Sequence, residues 1–220
     1  MIPLVYDVEA TGLRVKYTGL SEPCSITDGG DEILQIGGLV LDEKMDPVRA
    51  FCHFCDTVTA SSSAEAYATH EIKLEEIRDR LCNVFVEEVI TTRCPEMLAD
   101  DTVFIGYNTD YDLRMTATGL RNIPGLFKQP AQVTTRINRK GRQYVDLMKY
   151  YPERRKLVQR VASLQDRRDA FFSQYGHKLP FETNYPELFL EQWGRSHNAL
   201  WDVIDTYLLF KEEVWRKKLF

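Results

Sequence analysis

The chain has 220 residues, of which 44% are hydrophobic and 28% charged, a length and composition typical of one compact domain with a sizeable core. Its formal net charge of -5 at pH 7 argues against a protein that coats nucleic acid by bulk attraction, but not against an enzyme that grips one strand end. No apolar run approaches the roughly 18 to 20 residues of a membrane span, so we expect no membrane association.

The first part of the chain predicts an antiparallel meander of three strands. Residues 2–8 form a short apolar run that is rich in β-formers and ends in acidic residues, which indicates a buried strand. After a polar loop at residues 19–30, the patterns of residues 33–41 and 48–54 predict two further strands, joined by a turn at residues 42–47.

The rest of the chain predicts helices that alternate with short strands. The predicted helices cover residues 64–70, 73–88, 108–120, 153–175 and 196–215. The helix at 73–88 would carry Leu74, Ile77, Leu81 and Phe85 on one face, and Ser196 would cap the last helix. Short apolar runs at 103–106 and 144–147 predict strands. Strands interleaved with helices indicate an α/β fold with a mixed sheet flanked by helices.

The cysteines and the N-terminus point to a reducing compartment. Five cysteines are an odd number, typical of reduced thiols. Cys52 and Cys55 enclose His53 in a C-x-x-C pattern, but no second Cys or His pair follows at matching spacing, so a structural role is favoured over zinc. Met1 is followed by apolar and then acidic residues without a basic region, so we expect no cleaved targeting segment and a cytoplasmic location.

Two carboxylates stand at the end of the first predicted strand. Asp7 and Glu9 are two residues apart, so an extended backbone directs both side chains to the same face. Oxygen ligands of this kind suit a hard divalent cation such as Mg²⁺. Acidic residues at strand ends are common, so the pair alone indicates only half of a metal site.

Residues 6–13 read Y-D-V-E-A-T-G-L and resemble the first motif of the DEDD exonuclease superfamily, an apolar residue followed by D-x-E-x-T-G-L. Residues 106–113 read G-Y-N-T-D-Y-D-L and are similar to its second motif, in which an Asn is followed four residues later by an Asp that has an aromatic before it. Asn108, Tyr111 and Asp112 fit that pattern. Asp110 is the competing acid, and we interpret it as a solvated charge at the helix start.

Residues 196–203 read S-H-N-A-L-W-D-V and resemble the third motif of the histidine-type branch, H-x-A-x-x-D. The tyrosine-type branch has a Tyr four residues before this Asp, where Asn198 stands here. The chain is therefore similar to the DEDDh family of 3′-5′ exonucleases. Three motifs in family order make a chance match improbable. Between Arg114 and Arg195 the chain does not align convincingly with the family.

The resemblance implies a ribonuclease-H-like fold, one exonuclease domain over residues 1–220, and a two-metal site. Two Mg²⁺ or Mn²⁺ ions would be held by Asp7, Glu9, Asp112 and Asp202. Glu9 and His197 would be the catalytic residues, with His197 taking the proton from the attacking water. Substrate contacts would come from Thr11, Gly12, Leu13 and Asn108. His70 and His177 lack motif support, and we treat both as structural or surface residues.

Positive charge concentrates between Arg136 and Lys178. This segment either binds a phosphate backbone or is a solvated helix face. Nearby aromatic residues are more typical of a core than of base stacking. They are Phe171, Phe172, Tyr175 and Phe181.

The motifs predict an enzyme that removes nucleoside monophosphates from the 3′ end of single-stranded or frayed DNA. An RNA-trimming exoribonuclease of the ribonuclease T or oligoribonuclease kind is the alternative, because it would carry the same motifs and differ in contacts to the 2′-hydroxyl. A catalytically silent nucleic-acid-binding module is the alternative from another class. The predicted partner is a single-stranded 3′ end, while a homodimer or a replication partner stays undetermined.

Overall fold

A computed structural model describes residues 1–12, 31–57, 62–81, 84–121, 144–150, 164–191 and 197–215. These parts build a mixed sheet with strand order β5-β4-β1-β2-β3-β6. The strands are β1 (Ile2–Ala10), β2 (Ile33–Leu41), β3 (Pro47–Phe54), β4 (Thr102–Gly106), β5 (Tyr144–Asp146) and β6 (Phe181–Glu182). Helices cover both faces of the sheet, so the predicted α/β architecture is confirmed.

The predicted meander is present at the centre of the sheet. β1 pairs with β2 and β2 with β3, both antiparallel. The two short predicted strands are also present: β4 lies parallel to β1, and β5 lies parallel to β4. The carboxyl ends of β1, β4 and β5 therefore meet at one edge of the sheet, where side chains from three segments can approach each other.

The described helices are α1 (Ala64–His70), α2 (Leu74–Leu81), α3 (Val86–Arg93), α4 (Thr109–Arg121), α5 (Leu147–Tyr150), α6 (Leu164–Tyr175), α7 (Pro186–Glu191) and α8 (Ala199–Leu209). A 3₁₀ turn at Pro95–Leu98 follows α3, and a π-helical segment at Phe210–Trp215 continues α8. Among these described helices, none combines the length and apolar character needed to cross a bilayer.

Alternate side chains of β1 pack into two different layers of the core, one on each face of the sheet. Val5 packs in a layer with Trp201 and Ile204 of α8. Leu4 and Tyr6 pack in the opposite layer, with α3 and the buried side of α4. Because Asp7 and Glu9 share the parity of Val5, both belong to the α8 face of the sheet.

The prediction of one helix over residues 73–88 is wrong. α2 ends at Leu81, and Phe85 is extended, bridges to Asp56, and immediately precedes α3. Val86, Val89 and Ile90 of α3 are buried in the second layer instead. The apolar spacing of residues 74–85 fits a helix, but pairing of Phe85 with the chain after β3 overrides that local pattern.

The start of the last helix also differs from the prediction. α8 begins at Ala199, and Asn198 is its N-cap, with Oδ1 accepting a hydrogen bond from the N–H of Leu200 at 3.1 Å. Asn is as good a cap as Ser. The predicted cap, Ser196, lies outside the described residues, as does the part of the predicted 153–175 helix before residue 164.

Candidate active site

The end of β1 places two carboxylates opposite two positions of β2 that contact α8. Asp7 pairs with Gly37, and Glu9 pairs with Gln35. Directly opposed residues of an antiparallel pair project to the same face, so all four positions lie on the α8 side of the sheet.

Two contacts between β2 and the first turn of α8 hold the start of that helix next to the carboxylates of β1. The Gln35 side chain is fully buried, and its Oε1 accepts the N–H of Ala199 at 2.8 Å. At Gly37 the two backbones are so close that a Cβ would lie 2.5 Å from the carbonyl carbon of Ala199. These contacts place the N-terminal end of α8 beside Asp7 and Glu9.

The residues around the start of α8 carry the third motif. His197 has a left-handed backbone with φ 59°, a conformation that costs a residue other than glycine on the order of 1 to 2 kcal/mol and is concentrated at functional sites. Its side chain is 49% exposed, whereas that of Asp202 is 18% exposed. The Nδ1 of His197 lies 3.8 Å from the Oδ2 of Asp202.

Glu9, His197 and Asp202 form a group in which one ligand atom of each lies within 4.8 Å of the others. Burial raises the pKa of the Glu9 carboxyl well above its usual value, and the neighbouring carboxylates raise it further, in the order Asp7, Asp202 and Asp112. All four predicted acids are therefore close enough to interact. Carboxylate oxygens with one imidazole are suitable ligands for a divalent cation, which would offset the repulsion among them.

The fourth carboxylate comes from α4, which starts where β4 ends. Asp112 is buried, 3% exposed, and the preceding Tyr111 donates its hydroxyl hydrogen to the carbonyl of Gly12 at 2.9 Å. That bond ties α4 to the end of β1. Asp110, by contrast, is 49% exposed and pairs with Arg114 at 2.7 Å, which agrees with a solvated charge at the helix start.

Three of the four predicted substrate-contact residues, Thr11, Gly12 and Asn108, lie around the same end of the sheet. Thr11 is buried, and its Oγ1 accepts the N–H of Glu32 at 2.9 Å. Gly12 follows it. Asn108 is exposed at a left-handed φ of 68°, and its N–H donates to Oδ1 of Asp146 at 2.9 Å. Leu13 lies outside the described residues.

Three residues that position the site were not predicted. Gln35 and Gly37 hold the start of α8, and Asp146 at the end of β5 holds the backbone of Asn108. The Gly37-Gly38 pair inside an apolar strand was an available signal, because glycine in a strand often marks close approach of another backbone. Gln35 and Asp146 depend on strand register, for which the sequence holds no comparable signal.

Within the described part of the basic segment, Arg168 packs inside the protein and does not face solvent. Arg168 is buried and pairs with Asp205 of α8 at 3.0 Å, with its guanidinium 4.6 Å from the centre of the Trp201 ring. Phe171 is part of the core, as predicted, while Phe181 is partly exposed against Phe189. Residues 136–143 and 151–163 of this segment lie outside the described residues.

The described histidines and cysteines outside the three motifs differ in their burial and surroundings. Cys52 and Cys55 are buried in opposite core layers, so they are not arranged to share a metal ion. His177 is exposed, as expected of a surface residue. His70, treated as structural or surface, is buried and borders the carboxylate cluster.

Comparison with known proteins finds no matching family model and no matching curated protein. Solved structures do match. They include E. coli Exonuclease I in complex with a dA16 oligonucleotide (15% identity, TM-score 0.57, 96% of this chain and 40% of that chain). A zinc-bound form of the E. coli ExoI-ssDNA complex has 15% identity and a TM-score of 0.61 over 99% of this chain and 41% of that chain. A moderately thermophilic Exonuclease I from Methylocaldum szegediense has 19% identity and a TM-score of 0.56 over 96% of this chain and 41% of that chain.

These likenesses establish the fold. The predicted ribonuclease-H-like α/β fold is confirmed, and its solved neighbours are exonucleases. The chain spans about two-fifths of the length of the solved chains it matches. At this sequence identity, membership of the DEDDh family stays a prediction.

Proposed function

We propose that residues 1–220 form one DEDDh exonuclease domain that hydrolyses single-stranded or frayed DNA from its 3′ end and releases nucleoside monophosphates. The reaction would depend on two Mg²⁺ or Mn²⁺ ions. The observation that carries this proposal is the convergence of Glu9, His197 and Asp202 within 4.8 Å, together with the effect of Asp7 and Asp112 on Glu9.

The clustered carboxylates fit a cation-dependent site better than a purely structural one. A cluster of like charges destabilises the fold unless cations or protons compensate it. Asp7, Glu9, Asp112 and Asp202 would hold the ions. When bound, the ions supply Lewis-acid activation of water and stabilise charge on the scissile phosphate and leaving oxygen.

We infer that His197 acts as the general base. Its side chain is half exposed at the edge of the cluster, where solvent water can reach it. Imidazole has an ordinary pKa near 6.5, which suits proton transfer near neutral pH. Asp202, 3.8 Å from Nδ1, would stabilise the imidazolium that forms. We propose this role over direct ligation, although the ligand-atom distances fit both.

A DNA substrate is supported by the solved neighbours. Exonuclease I structures that share this fold contain dA16 or dT13 oligonucleotides. Those structures, at 15% identity, support a likeness of fold alone, so the choice of DNA over RNA belongs to the proposal and is tested directly.

The experiment uses one single-stranded oligonucleotide labelled at either end, in DNA and RNA forms, with Mg²⁺ or chelator. A 3′ label should be released early as mononucleotide, and a 5′ label should remain on a shortening ladder of products. Early release of the 5′ label, or cutting of a circular strand, would overturn the exonuclease assignment. Faster loss of RNA than of DNA would favour the exoribonuclease alternative.

A further inference from the structure

Arg168 is a buried arginine of α6 that forms an ion pair with Asp205 of α8. Its Nε lies 3.3 Å from Oδ1 and its Nη2 lies 3.0 Å from Oδ2, so the two planar groups meet through two parallel hydrogen bonds. The two side chains are only 8% and 6% exposed. A guanidinium that is enclosed in this way and already paired with a carboxylate is not available to a phosphate backbone. Arg168 therefore needs an explanation other than substrate binding.

The same guanidinium lies over the ring of Trp201, the residue that precedes Asp202. Its Cζ atom is 4.6 Å from the ring centre, a distance at which a cation and an aromatic face attract each other. The ring of Phe172, one helical turn after Arg168, packs edge-on against Trp201 with the ring centres 5.4 Å apart. Trp201 and Asp205 are four residues apart and share one face of α8. Helix α6 therefore holds that face of α8 at two neighbouring positions.

Asp202 lies on a different side of α8 from this contact. Each residue turns an α-helix by about 100°, so the direction of the Asp202 carboxylate depends on how α8 is rotated about its axis. A functional group of side chains tolerates displacements of only about 0.5 Å or 10–20°. Gln35 and Gly37 hold the backbone at Ala199, which is one point on the helix. A contact on another side of α8 is needed to fix its rotation as well.

Stability alone does not account for the buried pair of Arg168 and Asp205. Both charges lose their water when the pair is buried, so apolar residues of similar volume are often equally stabilising. What an arginine and a carboxylate add is fixed geometry, because two parallel hydrogen bonds and a stacked ring define the orientation of both partners. The pair is therefore suited to set the rotation of α8.

We propose that Arg168 is a positioning residue that fixes the rotation of α8 through Asp205 and Trp201, and thereby directs Asp202 into the carboxylate cluster. The inference rests on the proposed function, because it concerns how one of the proposed metal ligands is held. Arg168 acts through α8 and not on the metal or the strand. Its loss should therefore weaken metal binding and slow turnover, with little effect on how the strand is bound.

The first variant is Arg168→Lys, which keeps the positive charge but loses the planar contact through two hydrogen bonds. The Kd for Mn²⁺, measured by calorimetry, should rise about 10- to 100-fold, the usual effect of losing a group that orients a metal ligand. At saturating Mn²⁺, kcat on a single-stranded oligodeoxynucleotide should fall at least about tenfold, because a misplaced ligand slows the chemical step. KM should stay within about threefold of the wild-type value, because a buried residue does not contact the strand.

A second variant covers the case in which Arg168→Lys folds poorly. Arg168→Met/Asp205→Leu replaces the pair by apolar side chains of similar volume, a change that often leaves a protein equally stable, and it should show the same losses. Lys211→Met is the control. Lys211 pairs with Asp46 in the segment that continues α8, so its loss loosens the far end of the helix and should leave the Kd for Mn²⁺ unchanged. Thermal melts establish that each variant is folded.

The outcomes separate this inference from the proposed function. A Kd for Mn²⁺ within about threefold of the wild-type value in either folded variant, below the effect expected of a group that orients a ligand, overturns the inference alone. An equal loss of Mn²⁺ affinity in Lys211→Met overturns it too, because any loosening of α8 would then be sufficient. Failure of wild type to bind Mn²⁺ or to release nucleotide overturns the proposed function instead.

Discussion

Gly37 and Ala199 are in direct backbone contact, and this contact fixes where α8 meets the sheet. A Cβ on Gly37 would lie 2.5 Å from the carbonyl carbon of Ala199, closer than unbonded carbon atoms can approach. Gly37 is also the β2 partner of Asp7. The distance between the first and third motifs therefore depends on the absence of a side chain at position 37.

We predict that Gly37→Ala displaces the start of α8. The variant should therefore lose activity per folded molecule, in addition to any loss of stability. The added methyl should cost about 1 to 3 kcal/mol of unfolding free energy, as overpacking usually does. Gly38→Ala is the control, because its Cβ would meet the Phe51 ring on the other face of the sheet. Denaturant unfolding and specific activity are measured for both. Equal activity per folded molecule in the two variants would contradict the role given to Gly37.

The second motif contains two acids, of which we expect only Asp112 to be essential. Asp112→Ala removes a buried carboxylate of the cluster and should abolish most nuclease activity. Asp110→Ala breaks an exposed pair with Arg114, and exposed helix pairs contribute only about 0.3 to 0.5 kcal/mol. Mg²⁺-dependent turnover of the two variants is compared at equal concentration. A reversed order of activities would show that Asp110 is the ligand.

His197→Ala should lower kcat about 10² to 10⁴-fold, the usual contribution of a general base. Metal affinity and substrate affinity should stay close to wild type if the imidazole moves a proton without ligating an ion. Titration of Mn²⁺ monitored by calorimetry separates the two roles. A large loss of Mn²⁺ affinity would assign His197 as a ligand, which its distance to Glu9 and Asp202 also permits.

Metal-free protein should lose stability as the pH rises. The pKa of Glu9 is raised in the folded state, so the folded state binds more protons than the unfolded state between the ordinary glutamate pKa and the raised value. The contribution of Glu9 to stability is therefore full below its ordinary pKa and is lost as the pH rises through the raised one. Thermal melts in chelator from pH 4 upward should show this component, and Glu9→Gln should remove it.

Saturating Mg²⁺ or Mn²⁺ should reverse that loss. A ligand at a hundredfold excess over its Kd stabilises the state that binds it by about 2.7 kcal/mol. Asp7→Asn should melt no lower than wild type in chelator, since it removes a charge that raises the pKa of Glu9, and it should lose most of the metal-induced gain. A wild-type Tm that millimolar metal leaves unchanged, with a clearly less stable Asp7→Asn protein, would mean that these acids serve structure.

The sequence motifs predicted which residues gather at the site, because each motif combines chemistry with a local backbone pattern. Asp7 and Glu9 at a strand end and Asp112 in the first turn of a helix could be placed without knowledge of the tertiary fold. The same local reasoning separated buried Asp112 from exposed Asp110.

Features that depend on contacts between distant parts of the chain could not be predicted from local sequence patterns. The break in the predicted 73–88 helix arises because Phe85 bridges to Asp56, a pairing that the residue pattern of 73–88 does not contain. The role of Gln35 follows from the β1–β2 register, which brings it opposite Glu9 and beneath the start of α8. Asp146 accepts a hydrogen bond from the N–H of Asn108 because β5 lies next to β4 in the sheet.

The most direct test of a metal-dependent site at this cluster is release of nucleoside monophosphate from a 3′-labelled strand by wild type and Glu9→Gln. Wild type should release the label with Mg²⁺ or Mn²⁺ and release none in chelator. Glu9→Gln keeps the side-chain shape and removes the charge whose pKa burial and neighbouring acids raise. It should melt no lower than wild type without metal and release no label. Release of the label by folded Glu9→Gln at the wild-type rate, or by wild type in chelator, would contradict the account.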